Sequence, residues 1–378
     1  MFQAPLKLKV GSMNGPEILT DIKHQFARAI GAWEAPPFEP LAISPWLAAA
    51  LLQKSIRRGE EKLALQAAAT LLQVSPDRLW RRCGGIAAED VGLGDIDVVA
   101  NVAASLSGRR YRSGLGGEWR VASFIVSQMA MATKCRASDD LLMAAERYPS
   151  LADARREFPM LSTRELLSIV AGSASLPERA LATWYALGTG HHPSPWLRPR
   201  RGEPNVVFDQ LCEMGLPHTV VEIGRELFRR TGEPLGPFLS LLAPQRQVET
   251  ATIADDDIPP ATMIGQLPSW TFDRYSIDGL QCLKAFLHGN TETVRWVRSH
   301  VPATKRVDFI GDVCFRCEGQ ISKARLHWPT ANELRRVVDL ECAGHGCNDA
   351  SEIIALMTAD IPELNRVRVE LLGGRDHA

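Results

Sequence analysis

Lysine is scarce in this chain: nine of its 43 cationic residues are Lys and the rest are Arg. An excess of charge of one sign is missing too. The 43 cations face 44 Asp and Glu, for a formal net charge of -1. Near neutrality excludes a protein that holds nucleic acid through bulk charge, but leaves room for a local basic face. Arg recognises phosphate by a planar fork. An Arg-rich, Ala-rich composition also arises from genomic base bias, and composition does not separate the two. No run approaches the roughly 20 apolar residues that span a bilayer. The first residues carry no apolar segment of signal-peptide length. A cytoplasmic protein without membrane contact is therefore expected. Cysteine is thin, with eight residues scattered over 378. That is unlike the dense framework of a small secreted domain, so reduced thiols are the default.

Familiar catalytic signatures are also lacking. No G-x-x-x-x-G-K-[ST] string supplies the backbone donors and Lys of a phosphate loop, so no nucleotide is expected. There is no G-x-S-x-G elbow and no H-E-x-x-H pair. The cluster Gly114-Leu115-Gly116-Gly117 precedes a helical segment and reads as a flexible connection. His191-His192 sit in a Pro-rich break and read as solvated polar residues. The chain is expected not to be an enzyme.

What is present is helical periodicity. Its length suits two or three domains. Residues 1–45 read as a tail, one helix from Gly15 to about Trp33, and the Pro-rich linker Ala35–Pro45. Residues 46–190 are nearly continuous helix: Trp46–Arg57 ending at Gly59, Glu60–Val74, a start at Ser75-Pro76-Asp77, Ile96–Leu106, Gly117–Lys134, a start at Ser138, Leu161–Gly172 and Leu176–Leu187. Cap residues and Pro in a first turn mark these starts. The segment 188–204 breaks the pattern with Pro and Gly and is a candidate boundary. A helical extension spans 205–245. After a second break, 269–378 forms a mainly helical C-terminal domain, with Ile321–His327 and Val367–Leu372 as candidate short strands.

One stretch is more specific. Lys54-Ser55-Ile56-Arg57 is followed by an Ala-rich helix, Arg81-Arg82, and Ala88-Glu89-Asp90-Val91-Gly92-Leu93-Gly94-Asp95; Gly117–Asp139 then carries Lys134 where its helix ends. In order and spacing these pieces resemble the helical region after the ATPase core in the RarA/MgsA family of AAA+ proteins, relatives of clamp loaders. The resemblance covers about 100 residues. In that family the region is helical and mediates oligomer assembly beside an ATP-driven motor acting at stalled forks and DNA ends. The stretch before Trp46 is too short for that motor, so ATP hydrolysis is not carried over. The resemblance implies a mostly α, multi-helix bundle like a clamp-loader collar, joined to a second, largely helical C-terminal domain with short strands.

Read directly, Lys54, Arg57 and Arg58 sit at a helix end, where cations complement the carbonyl dipole. Arg78, Arg81 and Arg82 share one helix face by their i, i+3, i+4 spacing. Arg109, Arg110 and Arg112 surround Tyr111 at a helix junction. Trp196, Arg198, Arg200 and Arg201 occupy the Pro-rich break, where an aromatic with Arg suits single-stranded nucleic acid. These residues, from Lys54 and Arg57 to Arg201, are the DNA-contact candidates; solvated helix surfaces and a linker with a tucked Trp explain them equally. Glu89 and Asp90 read as pins for a helix end and the turn after it. Asp90, Asp95 and Asp97 lack the ligand spacing of a Ca²⁺ loop. Cys314, Cys317, Cys342 and Cys347 offer four thiolates for tetrahedral zinc, against the alternative of small buried hydrophobes. Otherwise no cofactor is expected. Asp273, Arg274 and Tyr275 form either a site or a turn with an internal ion pair.

The function expected from all of this is a non-catalytic helical scaffold in DNA replication, repair or recombination. It would act through protein partners or self-association and through DNA. The alternatives are an enzyme with its site in the C-terminal half and a mobile-element or defence adaptor.

Overall fold

The computed structural model describes residues 15–339 and 350–374. Along the chain run α1 (Gly15–Gly31), α2 (Pro45–Arg58), α3 (Glu61–Val74), α4 (Pro76–Ile86), α5 (Ile96–Ser105), α6 (Arg109–Gly114), α7 (Glu118–Met131), α8 (Ala137–Arg147) and α9 (Ala152–Glu157). Then come α10 (Thr163–Ala171), α11 (Leu176–Leu187), α12 (Pro204–Glu213), α13 (His218–Thr231) and α14 (Leu235–Val248). Strands β1 (Thr252–Ala254), β2 (Met263–Ile264) and β3 (Leu267–Pro268) lead to α15 (Ile277–Phe286), α16 (Glu292–His300) and α17 (Arg306–Cys314). Strand β4 (Arg325–His327), α18 (Pro329–Val337) and α19 (Ala350–Leu372) complete the order. Helix makes up 71% of the structure, so the fold is mostly α. The strands form two antiparallel pairs: β1 with β4, placing Ile253 opposite Leu326, and β2 with β3.

Local chemistry sets many of the ends. The Ser44 hydroxyl accepts from the Leu47 amide at 3.3 Å, Pro45 opens α2, and Gly59 closes it in the left-handed region at φ 68°. Ser162 and Glu165 form a reciprocal capping box at α10. Two helical segments expected from sequence, Leu176–Leu187 and the one from Pro76, begin as their Ser-Pro or Ser-Leu-Pro starts suggest.

The described chain divides into two compact units. The first takes residues 15–36, 80–254 and 325–339; the second takes 37–79, 255–324 and 350–374. The Pro-rich segment 188–204 thus lies inside the first unit, and the 46–190 stretch contributes to both. The first unit's core gathers Leu141, Trp184, Tyr185, Phe208, Phe238 and Trp328 from α8, α11, α12, α14 and the α18 entrance. The second unit's core gathers Leu283, Phe286, Val294, Ile310, Met357 and Leu364 from α15, α16, α17 and α19. Within that unit α2 and α3 pack together, with Leu47, Ala48, Leu51, Leu52 and Ile56 of α2 buried.

Both expected C-terminal strands are modified. Only Arg325–His327 of the first is extended. Val367–Leu372 is helical, because Ile353, Met357, Ile361, Leu364, Arg368 and Leu372 bury one face at three- and four-residue spacing.

Candidate nucleic-acid interface

The loop after α11 is fastened rather than slack. Its two ends meet as an antiparallel bridge between Gly188 and Arg201. The Thr189 amide donates to the Arg200 carbonyl at 3.1 Å, and the Thr189 hydroxyl donates to the Arg198 carbonyl at 3.0 Å. The same hydroxyl accepts from the Arg200 amide at 2.8 Å. Arg200 Nε donates to the Tyr185 carbonyl at 3.2 Å, which ties the loop back to α11. Leu197 is buried, and His192 packs against the Trp184 ring at 5.7 Å. On this frame Trp196 stands 56% exposed. Arg198 and Arg201 are exposed as well.

The other cationic candidates split into two groups. Arg81, Arg109 and Arg110 are exposed and Arg82 is half-buried. Lys54, Arg57, Arg58 and Arg112 are buried. Arg112 bonds Glu118 and the Ser105 carbonyl and lies 3.9 Å over the Trp80 ring. A buried, fully engaged guanidinium is not available to a phosphate. These four residues therefore leave the surface interface proposed from sequence, because carbonyls and carboxylates already hold their charges.

Lys54, Arg57 and Arg58 belong to a buried charge cluster in the second unit. Lys54 Nζ donates to the Trp270 carbonyl at 2.6 Å and pairs with Asp273 at 2.6 Å. Arg57 donates to the Gly319 carbonyl at 2.5 Å, and Arg58 donates to the Glu318 carbonyl at 3.1 Å. Arg58 also lies 4.9 Å over the Trp270 ring. Arg368 of α19 forks onto the Glu318 carboxylate at 2.8 and 3.1 Å. Burial pulls Lys54 and Arg58 below their ordinary values. Burial opposes the charge of Glu318, yet Arg368, Arg58 and Lys54 together hold its carboxyl below the usual range. The Asp273-Arg274-Tyr275 string is thus divided: Asp273 pairs with Lys54, Arg274 with Asp312, and Tyr275 stays exposed against Phe315.

The Glu89–Asp95 stretch has a different job in the first unit. α4 passes into a π-helical turn, Ala87–Val91, that ends at Gly92 with φ 49° and ψ -135°. A Cβ on Gly92 would lie 2.5 Å from the Cys135 carbonyl oxygen, and one on Gly94 would lie 2.4 Å from that of Thr133. Only glycine permits this approach of the 133–135 backbone. The Cys135 amide donates to the Asp90 carbonyl at 2.9 Å, and the Ser138 hydroxyl donates to the Ala88 carbonyl at 2.5 Å. Arg136 engages Glu89, Asp90 and Asp139, and these carboxylates lift its guanidinium above the usual range despite burial. Lys134 Nζ caps α7 through the Ala130 and Ala132 carbonyls at 2.9 and 2.5 Å. Asp95 accepts from the Val98 amide and starts α5. Burial and Asp95 push Asp97 up to about 6. The motif pieces around Asp90 and Lys134 are therefore packed against each other.

Cys314 and Cys317 lie in the second unit's core. The Cys314 thiol faces Glu318 and Arg368, and the Cys317 thiol faces the Ile354 carbonyl. Burial and Glu318 push the Cys314 thiol well up. Cys342 and Cys347 lie outside the described residues. Among the described residues no group of three or more His, Cys, Asp or Glu is placed to hold a metal ion. No described helix is long and apolar enough to cross a membrane.

Sequence reasoning missed Arg136, Glu318, Arg368 and Arg147. The last reaches from α8 to within 6.0 Å of the Trp196 ring centre. The one usable signal was a charge set in an apolar helical face, as Arg368 is in α19. Comparison with family models, with curated proteins and with solved structures gives no match to this chain.

Proposed function

We propose that this chain is a non-catalytic, all-α scaffold of the cytosol that serves DNA replication, repair or recombination. It works through protein contacts or self-association, and through nucleic acid held at the loop 188–201. The observation that carries the reading is the fastened loop that presents Trp196 with the exposed Arg198 and Arg201. An aromatic platform flanked by cations is the minimal equipment for a sequence-tolerant nucleic-acid contact. The resemblance to the post-ATPase region of RarA/MgsA-type proteins supplies the DNA-metabolism setting. It is supported by the mutual packing of the Glu89–Asp95 and Lys134–Asp139 pieces that carry it.

The test is a titration of labelled single- and double-stranded DNA at about 50 and 200 mM salt, where phosphate contacts reveal themselves as salt-sensitive affinity. Salt-sensitive binding is expected. Absence of binding at the lower salt removes the nucleic-acid part, and a monomeric mass at every concentration removes self-association.

A further inference from the structure

We propose that the loop 188–201 reads unpaired bases, with Trp196 as the stacking platform and Arg147 as the phosphate clamp beside it. This rests on the nucleic-acid reading above and names the kind of strand that it left open.

Neighbouring residues in the loop face opposite ways. Leu197 is buried while Trp196 is 56% exposed, so the apolar anchor and the presented indole are separate side chains. The Trp196 amide donates to the Ser194 hydroxyl at 3.0 Å, which fixes the backbone immediately before the anchor. With both ends bridged and Thr189 bonded to Arg198 and Arg200, little ordering remains to be done on binding. Arg147, in the last turn of α8, lies over one face of the ring at 6.0 Å from its centre, so a base would stack on the other face. Its Nε donates to Glu146 at 2.9 Å, which leaves the terminal nitrogens as the part of the guanidinium turned to other acceptors. Glu146, largely buried, is the carboxylate that engages Arg147. Arg198, Arg200 and Arg201 follow Trp196 within the same loop, and Arg198 and Arg201 are exposed.

The shape of this feature selects the strand. In a duplex the base faces are covered and only groove edges can be read, by an inserted helix or ribbon. A single indole on a short loop fits neither groove. It does match the open face of a splayed base, whose phosphates then fall to the flanking guanidinium groups. A net charge of -1 gives the chain no bulk attraction for duplex phosphates. Unpaired DNA and RNA share this chemistry.

The experiment uses the full chain at about 50 mM salt, where phosphate contacts are least screened. Anisotropy is followed for labelled oligothymidine, oligouridine and a duplex, each of about 20 nucleotides or base pairs, long enough for one such site. One or both single strands should bind more tightly than the duplex. Trp196→Ala should weaken that binding about tenfold or more, while Trp196→Phe stays near wild type. Arg147→Met should weaken it several-fold and flatten the salt dependence. The melting temperature of each variant reports folding, and no change is expected for exposed Trp196. Duplex binding as tight as single-strand binding overturns the proposal, as does an unchanged affinity in Trp196→Ala; either leaves the broader nucleic-acid reading standing. No binding of any oligonucleotide removes both. Capture of an acidic peptide at Trp196 in place of oligonucleotide also overturns the proposal.

Discussion

Each unit buries a carboxylate on a π-helical turn and pairs it with a buried arginine from elsewhere in the sequence. In the first unit Asp90, on the turn Ala87–Val91, meets Arg136. In the second, Glu318, on the turn Phe315–Gly319, meets Arg368. The surroundings have opposite sign. Arg136 engages three carboxylates, Glu89, Asp90 and Asp139. Around Glu318 and Asp273 gather Lys54, Arg57, Arg58 and Arg368, so cations are in excess and backbone carbonyls absorb the surplus. The lesson is that a buried cluster depends most on its minority charge. Removing one member of the majority relieves repulsion, whereas removing the minority member leaves several like charges buried and uncompensated.

This inversion can be broken directly, and it carries the largest expected effects. Arg136→Met in the first unit and Glu318→Ala in the second should each cost about 3–5 kcal/mol. Asp139→Asn, which removes a majority charge at a partly exposed position, should cost under about 1 kcal/mol. Chemical denaturation followed by circular dichroism measures all three. If Glu318→Ala or Arg136→Met is too unstable to purify, Glu318→Gln and Arg136→Gln remove the charge while keeping a polar side chain and should retain the same ordering. Equal losses for Arg136→Met and Asp139→Asn would show that the clusters do not work by charge compensation.

The comparison also shows how far the residues alone could be read. The mostly helical fold was legible, because caps, Pro at first turns and apolar spacing are local signals. Helices α2, α3 and α11 fall within a residue or two of the sequence reading. The pinning role of Glu89 and Asp90 was legible in kind, since acidic residues before Gly92 and Gly94 announce a turn. What it binds, Arg136, was not, because 46 residues separate the pair. The three cations ending α2 misled for the same reason. At a helix end they look like surface charges, and only the fold brings them carbonyl partners more than 200 residues away. Val367–Leu372 looked like a strand because Val367 and Val369 are β-prone, but burial on one face of a long helix outweighed that propensity. Trp196 and its Arg neighbours were identifiable as a pair of residue types in a Pro-rich break, while the fastening through Thr189 and the approach of Arg147 required coordinates.

A smaller effect tests the acidic side of the first unit by pH. Glu233 packs on Gly85, where a Cβ would lie 3.2 Å from its Oε2. Burial, with Glu89 adding repulsion and Arg82 opposing it, pushes its carboxyl up to about 7. A folded value above the unfolded one near 4.5 means that the protonated form fits the native state. The stability it contributes is complete below about pH 4.5 and is lost as the pH rises through about 7. Glu233→Gln mimics the protonated form permanently. The variant should match wild type at pH 5 and exceed it by roughly 1–3 kcal/mol at pH 8. Denaturation midpoints at the two pH values measure this, and a gap that does not widen with pH contradicts the assignment.

The smallest stability effect belongs to the exposed cations, and there the contrast with the buried ones is sharpest. Arg198 and Arg201 are exposed, so replacing both by Ala removes neither a desolvated charge nor a buried stem. Unfolding free energy should stay within about 0.5 kcal/mol of wild type. The same double variant should lose several-fold in affinity for single-stranded oligonucleotide at low salt, with a shallower salt dependence, because two phosphate contacts have gone. Lys54, Arg57 and Arg58 are buried: loss of any one should leave oligonucleotide affinity unchanged and, as a majority charge, cost less stability than loss of Glu318. A chain in which Arg198 and Arg201 mattered to stability, or in which the buried α2 cations altered oligonucleotide affinity without altering stability, would place the division between structural and ligand-facing arginines somewhere other than at burial.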